Sequence, residues 1–351
     1  MGAELSPGVL VAGFGFLGGV GLGLAARIGR FCTLGAIEDL FYGSSDIRVR
    51  MWAIALGTAI LGSFGLTAAG LFDPEQSFYL AGGFNPVAHA FGGLLFGYGM
   101  ALAGNCGYGV LARVGGGDLR AFVMVLVMAI SAYLVISGPL APLRVALFPQ
   151  GVLSTGRPAG FAHLLSDLSG VAPAALGMAI GTLVLGAALA PARMRADRKS
   201  VVWAVVVGLA ITSGWAGSAF VADQSLGAVR VESHTFSAPL GDAVLYLMLS
   251  SGLTLGFGVG SVAGVLVGAA LGSAVKGQFR WEACEDPREL RRQIGGAAAM
   301  GAGGAIAFGC SVGQGLSAFS LLAFSAPLTL AAIVAGAWLG LRQLISGFAP
   351  S

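Results

Sequence analysis

The sequence predicts an all-α polytopic membrane protein: an inverted repeat of two halves, with about nine transmembrane helices and four short non-spanning half-helices. The composition is 56% hydrophobic and only 10% charged, whereas charged residues form about 25% of a typical soluble domain. Apolar runs that reach the ~20 residues needed to cross a bilayer occur along the whole chain. A glycine- and cysteine-containing pattern also occurs three times.

The repeated pattern is a glycine-rich apolar run, then a cysteine, then a glycine three residues later. It is centred on Cys32, Cys106 and Cys310. The glycines that share one register around these cysteines are Gly18, Gly92 and Gly296, then Gly23, Gly97 and Gly301, then Gly35, Gly109 and Gly313. Glycine accounts for 59 of 351 residues, so some matches are chance. Matches at one register around a rare residue nevertheless indicate an internal repeat.

Length and hydropathy place the predicted spans. They lie near 8–27, 50–71, 88–104, 119–138, 171–191, 200–213, 242–275, 293–309 and 327–347. The run 242–275 is too long for one straight crossing. Gly256, Gly258 and Gly260 predict a bend or break within it.

Four further segments are apolar or small but too short to span, and each adjoins a glycine-flanked boundary. They lie near 33–43, 106–113, 214–222 and 311–322. We interpret them as half-helices. Irregular backbone at membrane depth survives only where protein or water satisfies its polar groups, so these segments should face an internal cavity.

The distribution of basic residues predicts the topology. Clusters near 27–30, 48–50, 113–120, 193–199 and 276–292 are expected in the cytoplasm, and 71–87 and 138–165 outside. The two copies at 88–104 and 293–309 would then run in opposite directions, as an inverted repeat requires. We expect repeat halves at 1–191 and 200–351, a cytoplasmic linker at 192–199, and one integral membrane domain overall. The counterpart of Cys32 is expected near 213–218, where no cysteine occurs.

The three repeated cysteines are the main candidates for chemistry. A free cysteine is ordinarily a small buried hydrophobe, but three at equivalent places favour a shared function. Each would begin a half-helix, where unpaired N–H groups and the helix dipole favour an anion. A neutral thiol is itself a weak hydrogen-bond donor.

Polar neighbours support a passage for a solute. The residues expected to hydrogen-bond to it are Thr33, Asn105, Ser311 and Gln314. Arg27, Arg30 and Arg113 could attract an anion near one mouth, although positive-inside anchoring is the more ordinary interpretation.

Other kinds of site have no sequence support. The histidines and cysteines have no metal-ligand spacing, and we find neither a phosphate-binding loop nor a Ser-His-Asp signature. We therefore expect no enzyme, no metal, no cofactor and no nucleic acid partner. His163 and His234 are predicted in external loops, and Cys284, flanked by acids in a charged loop, is predicted to be inert.

At the three motifs the chain resembles the YeeE/YedE family of sulfur-compound transporters, which includes thiosulfate uptake proteins. The matching stretches are Gly-Arg-Phe-Cys-Thr-Leu-Gly ending at Gly35, Gly-Asn-Cys-Gly-Tyr-Gly ending at Gly109, and Phe-Gly-Cys-Ser-Val-Gly-Gln-Gly ending at Gly315. The resemblance implies an hourglass-shaped protein of the bacterial inner membrane with these cysteines at a central constriction. It also implies uptake of thiosulfate, or a related sulfur anion, by brief hydrogen bonds from thiols. Family members often work beside a small cytoplasmic sulfur-carrier protein.

Two other functions remain open at the sequence level. A membrane thiol–disulfide oxidoreductase would use two of the cysteines as a redox pair, which the fold would have to bring together. A soft-metal or selenium-species carrier would use thiols as ligands. The scarcity of methionine and histidine beside the cysteines argues against the metal.

Overall fold

The computed structural model describes residues 6–43, 45–149, 158–283 and 286–347. Cys284 lies outside these ranges. Within them the regular structure is helical. The α-helices are α1 (Pro7–Arg27), α2 (Thr33–Phe41), α3 (Ile47–Ala68), α4 (Phe78–Ala81), α5 (Pro86–Ala103), α6 (Gly107–Val114), α7 (Leu119–Ile136), α8 (Ala141–Leu147), α9 (Phe161–Ser169), α10 (Pro173–Leu189), α11 (Ala192–Ala196), α12 (Arg198–Gln224), α13 (Ala238–Leu249), α14 (Phe257–Val275), α15 (Pro287–Ile306) and α16 (Ser325–Ser346). A 3₁₀ turn covers Pro74–Gln76 and a π-helical turn covers Gly313–Ala318.

Seven of these helices are long and apolar enough to cross a membrane, and the count is eight if α9 and α10, bent by 118°, form one broken span. The prediction of an all-α polytopic membrane protein is confirmed. The nine predicted spans also included α15, which has 20 residues. Its first two turns carry Arg288, Glu289, Arg291 and Arg292, which lower its mean hydropathy.

The helix ends follow local chemistry. Asn85 caps α5 by accepting hydrogen bonds from the N–H groups of Val87 and Ala88, and Pro86 opens the helix with no N–H to satisfy. Gly104 ends the same helix in the left-handed conformation at φ 76°. The boundaries of this span are therefore set by residues that are readable in the sequence.

Helix α12 corrects one prediction. The segment 214–222 is not a half-helix, because α12 runs unbroken for 27 residues from Arg198 to Gln224. Its glycines serve close packing instead: a Cβ on Gly217 would lie 2.4 Å from the ring of Phe14 on α1. The predicted break inside 242–275 does occur, since α13 ends at Leu249 and α14 begins after Gly256.

After α12 the chain continues through the extended stretch 228–237 into α13. Its residues turn inward after α12, and His234 and Phe236 are fully buried. His234 thus lies in a non-helical stretch, as predicted, but its side chain is buried, and its place on the outer side stays a prediction. His163 lies in helix α9 rather than in a loop.

The long helices form two groups with the short helices between them. Helix α1 packs against α12 and α14, and α3 packs against α12 and α10. In the other group α5 packs against α15 and α16, and α15 packs against α7. Helices α2, α6 and α13 each contact long helices, and the π-helical turn joins α3, α12 and α16. Helix α6 and the π-helical turn, with most of their residues buried, thus lie between the long helices.

Candidate functional site

The three repeated cysteines each precede a short helix. Cys32 and Cys106 are the N-cap residues of α2 and α6, and Cys310 precedes the helical stretch 311–320 that contains the π-helical turn. All three thiols are free. Cys106 and Cys310 are buried, and Cys32 is half-buried.

A residue with a left-handed backbone stands two positions before each cysteine. These are Arg30 at φ 56°, Gly104 at φ 76° and Phe308 at φ 52°. The left-handed residue lies between the end of a long helix and the cysteine, so the chain reverses there and the cysteine starts a new helix. The repeat is therefore a backbone motif as well as a sequence motif.

Hydrogen bonds connect the first motif to the second and to the third. The Cys32 thiol donates to Asn105 Oδ1 at 3.3 Å. The Thr33 hydroxyl lies 3.1 Å from Ser311 Oγ and 3.7 Å from Cys106 Sγ. Five of the sequence-predicted residues, Cys106 among them, therefore meet at one place. That place is where α2, α6 and the helical stretch after Cys310 begin.

The surroundings of Cys310 include residues that sequence reasoning missed. Its sulfur accepts from the N–H of Phe236 at 3.2 Å and lies 3.7 Å from the Thr235 hydroxyl. Both residues belong to the extended stretch 228–237. The signal in the sequence was Ser-His-Thr between two apolar helices, a polar run whose residues the structure places against Cys310.

The glycine three residues after each cysteine makes room for a polar side chain. A Cβ on Gly109 would lie 2.1 Å from Asn105 Oδ1, and one on Gly313 would lie 2.3 Å from Thr235 Oγ1. On Gly35 it would lie 2.4 Å from Nη1 of Arg48. The backbone N–H groups of Gly35 and Gly313 also donate to the cysteine sulfur of their own motif, each at 3.4 Å.

Two openings flank the thiols. The one we call the basic mouth has a volume of about 440 Å³, and it is lined by Arg27, Arg30, Arg48 and Lys276 together with Cys32, Asn105 and Gly104. The other, the aromatic mouth, has only about 30 Å³, and its lining includes Phe78, Tyr79, Phe84, His89, Phe308 and Gln314. His89 is in the first turn of α5 and Gly104 follows its last, so the two mouths lie at opposite ends of that helix.

Gln314 lies at the aromatic mouth rather than among the thiols. Its amide donates to the carbonyls of Ala307 and Phe308, at 3.0 and 3.2 Å, and accepts from Ser325 at 3.1 Å. These bonds hold the left-handed turn before Cys310. Gln314 thus stabilises the third motif.

An ion pair fixes the far end of α6. The guanidinium of Arg113 contacts Asp118 at 2.6 Å, and Asp118 also caps α7. Burial by itself would raise the pKa of Asp118, but Arg113 and the capping hydrogen bonds lower it below its usual value. Arg113 is not part of the basic mouth lining, so it anchors the half-helix.

The family model described as sulphur transport matches residues 28–339. The chain belongs to this family. The match includes all three cysteines and the short helix that follows each of them.

Two curated relatives extend the match to most of the chain. The chain is 26% identical over 342 residues to the thiosulfate transporter TsuA of Escherichia coli (strain K12), covering 92% of each protein. It is 27% identical over 346 residues to the thiosulfate transporter TsuA of Spirochaeta thermophila, covering 92% of this chain and 96% of the relative. The similarity to these relatives therefore covers most of this member of the sulphur transport family.

Proposed function

We propose that the protein carries thiosulfate, or a closely related sulfur-containing anion, across the bacterial inner membrane into the cytoplasm. The single observation that carries this is the convergence of the three helix starts, with Cys106 and Cys310 buried and Cys32 half-buried on the basic mouth, in a chain of the sulphur transport family. The names of both relatives support thiosulfate as the solute.

The proposed route runs from the aromatic mouth past Cys310, then Cys106 and Cys32, to the basic mouth. The aromatic mouth belongs to the side that carries few basic residues, and the basic mouth to the side rich in arginine and lysine. By the positive-inside rule, passage in this order is uptake. Thr33, Asn105 and Ser311 would hydrogen-bond to the anion as it moves between the thiols.

The physical problem for the anion is loss of water. An isolated ion in a low-dielectric pore is very unfavourable unless polar groups replace its hydration. Three helix starts lie along the proposed route, and such termini favour anions without holding them by a fixed charge. Conduction requires sites that are weak and multiple, and thiols meet this requirement because they are weak donors.

The free Cys106 thiol suits this role particularly well. Among the described residues, its sulfur has one hydrogen-bond partner, the Thr33 hydroxyl at 3.7 Å, and no N-cap hydrogen bond. Its S–H is therefore available to a solute. We propose that Cys106 is the central donor of the three.

The test is growth of a strain that cannot use sulfate, with thiosulfate as its only sulfur source. Cys106→Ala and Cys310→Ala should abolish or severely reduce growth while the protein still inserts, because each change removes only a small group. Cys284→Ala, which lies outside the three motifs, is the matched control and should leave growth unchanged. Full growth of a correctly inserted Cys106→Ala/Cys310→Ala double variant would contradict the proposal.

Serine variants of the same cysteines separate the two rival functions. A thiol–disulfide oxidoreductase would lose disulfide exchange activity in Cys-to-Ser variants, and a soft-metal carrier would lose metal uptake. We expect disulfide exchange and metal uptake to be the same in the variants as in the wild type. Only transport of the sulfur anion should fall.

A further inference from the structure

The basic mouth contains four cations and one acidic residue, Glu38. Three of the cations are bonded to the protein. Arg27 Nε donates to Ser273 Oγ at 2.6 Å, and Lys276 Nζ donates to the carbonyl of Arg27 at 2.8 Å. Arg48 forms an ion pair with Asp39 at 3.4 Å.

Arg30 differs from the other three. Its side chain is exposed in the mouth, and within the described residues it forms no hydrogen bond or ion pair. It shares the cavity with Cys32, which lies two residues further along the chain, and with Asn105, which accepts the Cys32 hydrogen bond. A guanidinium at this place has all its donors available to a solute.

The backbone of Arg30 is a second, independent observation. Its φ of 56° is a conformation that residues with a Cβ rarely adopt. Gly104 makes the same turn in the second motif without that cost, at φ 76°, whereas Phe308 makes it with a Cβ in the third motif, at φ 52°. Glycine would therefore suit position 30, and a strained residue at a functional opening is a reason to look for a use of its side chain.

We infer that Arg30 is a specificity-determining residue of the basic mouth, where it binds small divalent oxyanions next to the Cys32 thiol. This inference rests on the proposed function and deepens it. A dianion that leaves the thiols meets the guanidinium, which matches two oxygens of an oxyanion with two N–H groups. Because the attraction grows with the charge of the ion, Arg30 favours divalent over monovalent anions.

The test measures anion binding by the purified full-length protein in detergent, from the rise in melting temperature as thiosulfate or sulfate is added. Sodium chloride at matched ionic strength corrects for screening. The wild type should be stabilised by both dianions and not by chloride. In Arg30→Gln the concentration that gives half of the stabilisation should rise about five- to tenfold, the range expected when a charged hydrogen-bond donor at a partly exposed site is lost.

Two further variants separate charge from backbone. Arg30→Lys keeps the charge and should recover most of the dianion binding. Arg30→Gly removes the side chain but suits the left-handed turn, so it should fold and should bind dianions as weakly as Arg30→Gln. Arg193→Gln is the control, because it removes an exposed arginine that does not line the mouth, and it should bind like the wild type.

Thiosulfate uptake into proteoliposomes by the same proteins distinguishes the two claims. If the wild type imports thiosulfate while Arg30→Gln and Arg30→Gly bind dianions as it does, the inference about Arg30 is overturned and the proposed function stands. If the wild type imports no thiosulfate but shows Arg30-dependent binding of dianions, the inference about Arg30 stands and the transport proposal fails. A wild type stabilised by neither dianion contradicts the inference outright.

Discussion

At the scale of single residues, the glycine three positions after each cysteine has a defined purpose. Composition alone suggests that glycine in a membrane protein serves close helix packing. At Gly35, Gly109 and Gly313 the space instead holds a polar side chain, from Arg48, Asn105 and Thr235 respectively. A glycine in this register is therefore part of the candidate site.

Gly109→Ala tests this use of glycine. The new methyl group would overlap Asn105 Oδ1, displace that side chain and remove its hydrogen bond with Cys32. Thiosulfate uptake should fall about tenfold, the equivalent of one net hydrogen bond of about 1.4 kcal/mol, with much less effect on stability. Gly295→Ala is the control, since nothing lies within 4 Å of the added Cβ. Equal uptake by the two variants in proteoliposomes would show that the position of Asn105 is irrelevant.

At the scale of helices, glycine has its more usual role along α1. A Cβ on Gly19 would lie 2.4 Å from the carbonyl oxygen of Ser261 on α14, so the two backbones nearly touch. Gly13 lies on the same helix but has nothing within 4 Å. One helix thus supplies both a tightly packed glycine and an unpacked one.

Gly19→Ala should therefore destabilise the protein and Gly13→Ala should not. Overpacking against backbone costs about 1–3 kcal/mol, whereas alanine in an open helical position gains roughly 0.5–1 kcal/mol over glycine. Thermal unfolding in detergent measures both. An equal melting temperature for the two variants would mean that the backbones of α1 and α14 do not approach closely at Gly19.

The helices also show which parts of the fold can be predicted from the sequence. Span positions followed from hydropathy, and the starts of α2 and α6 followed from the cysteine motif, because each depends on local chemistry. The error at 214–222 has a physical reason. Gly214 and Gly217 resemble breakers in the sequence, but Ser218 Oγ bonds back to the carbonyl of Gly214 at 2.8 Å and the helix continues. Only tertiary packing decides between the two outcomes.

The candidate site was predicted in a similar, partial way. The repeat of the motif singled out the cysteines, Thr33, Asn105 and Ser311, which the structure places close together, and their role in binding a solute stays a prediction. Thr235 and Phe236 were missed because they stand in a stretch with no cysteine and no helical period. Their approach to Cys310 depends on the path of the whole stretch 228–237, which no local pattern encodes.

At the scale of the molecule, the packing of long helices has a regular plan. Helix α1 runs parallel to α14, with Gly15 near Phe257 and Gly23 near Ala269, and α3 runs parallel to α12. Helices α5 and α15 run antiparallel, since Gly92 lies near Ala307 and Gly99 near Gly296. We propose that α1, α3, α5 and α7 correspond to α12, α14, α15 and α16 of an inverted repeat, with repeat halves 1–191 and 200–351 joined at 192–199.

The proposed topology is tested by labelling from outside intact cells with a membrane-impermeant thiol reagent. Gln76→Cys should be labelled, because this exposed residue is in the segment predicted outside. Lys199→Cys, exposed in the predicted cytoplasmic linker, should be labelled only after the membrane is permeabilised. The reverse labelling pattern would mean that the protein has the opposite orientation in the membrane, with the basic mouth on the outside.

The most direct test of the central claim is uptake of radiolabelled thiosulfate by proteoliposomes that contain the purified wild type or a Cys32→Ala/Cys106→Ala/Cys310→Ala variant. The account predicts saturable uptake by the wild type, inhibited by unlabelled thiosulfate, and none above protein-free vesicles for the triple variant. The variant should still elute as a folded protein with a melting temperature close to that of the wild type. Undiminished uptake by a folded triple variant would contradict the claim that these thiols carry the anion.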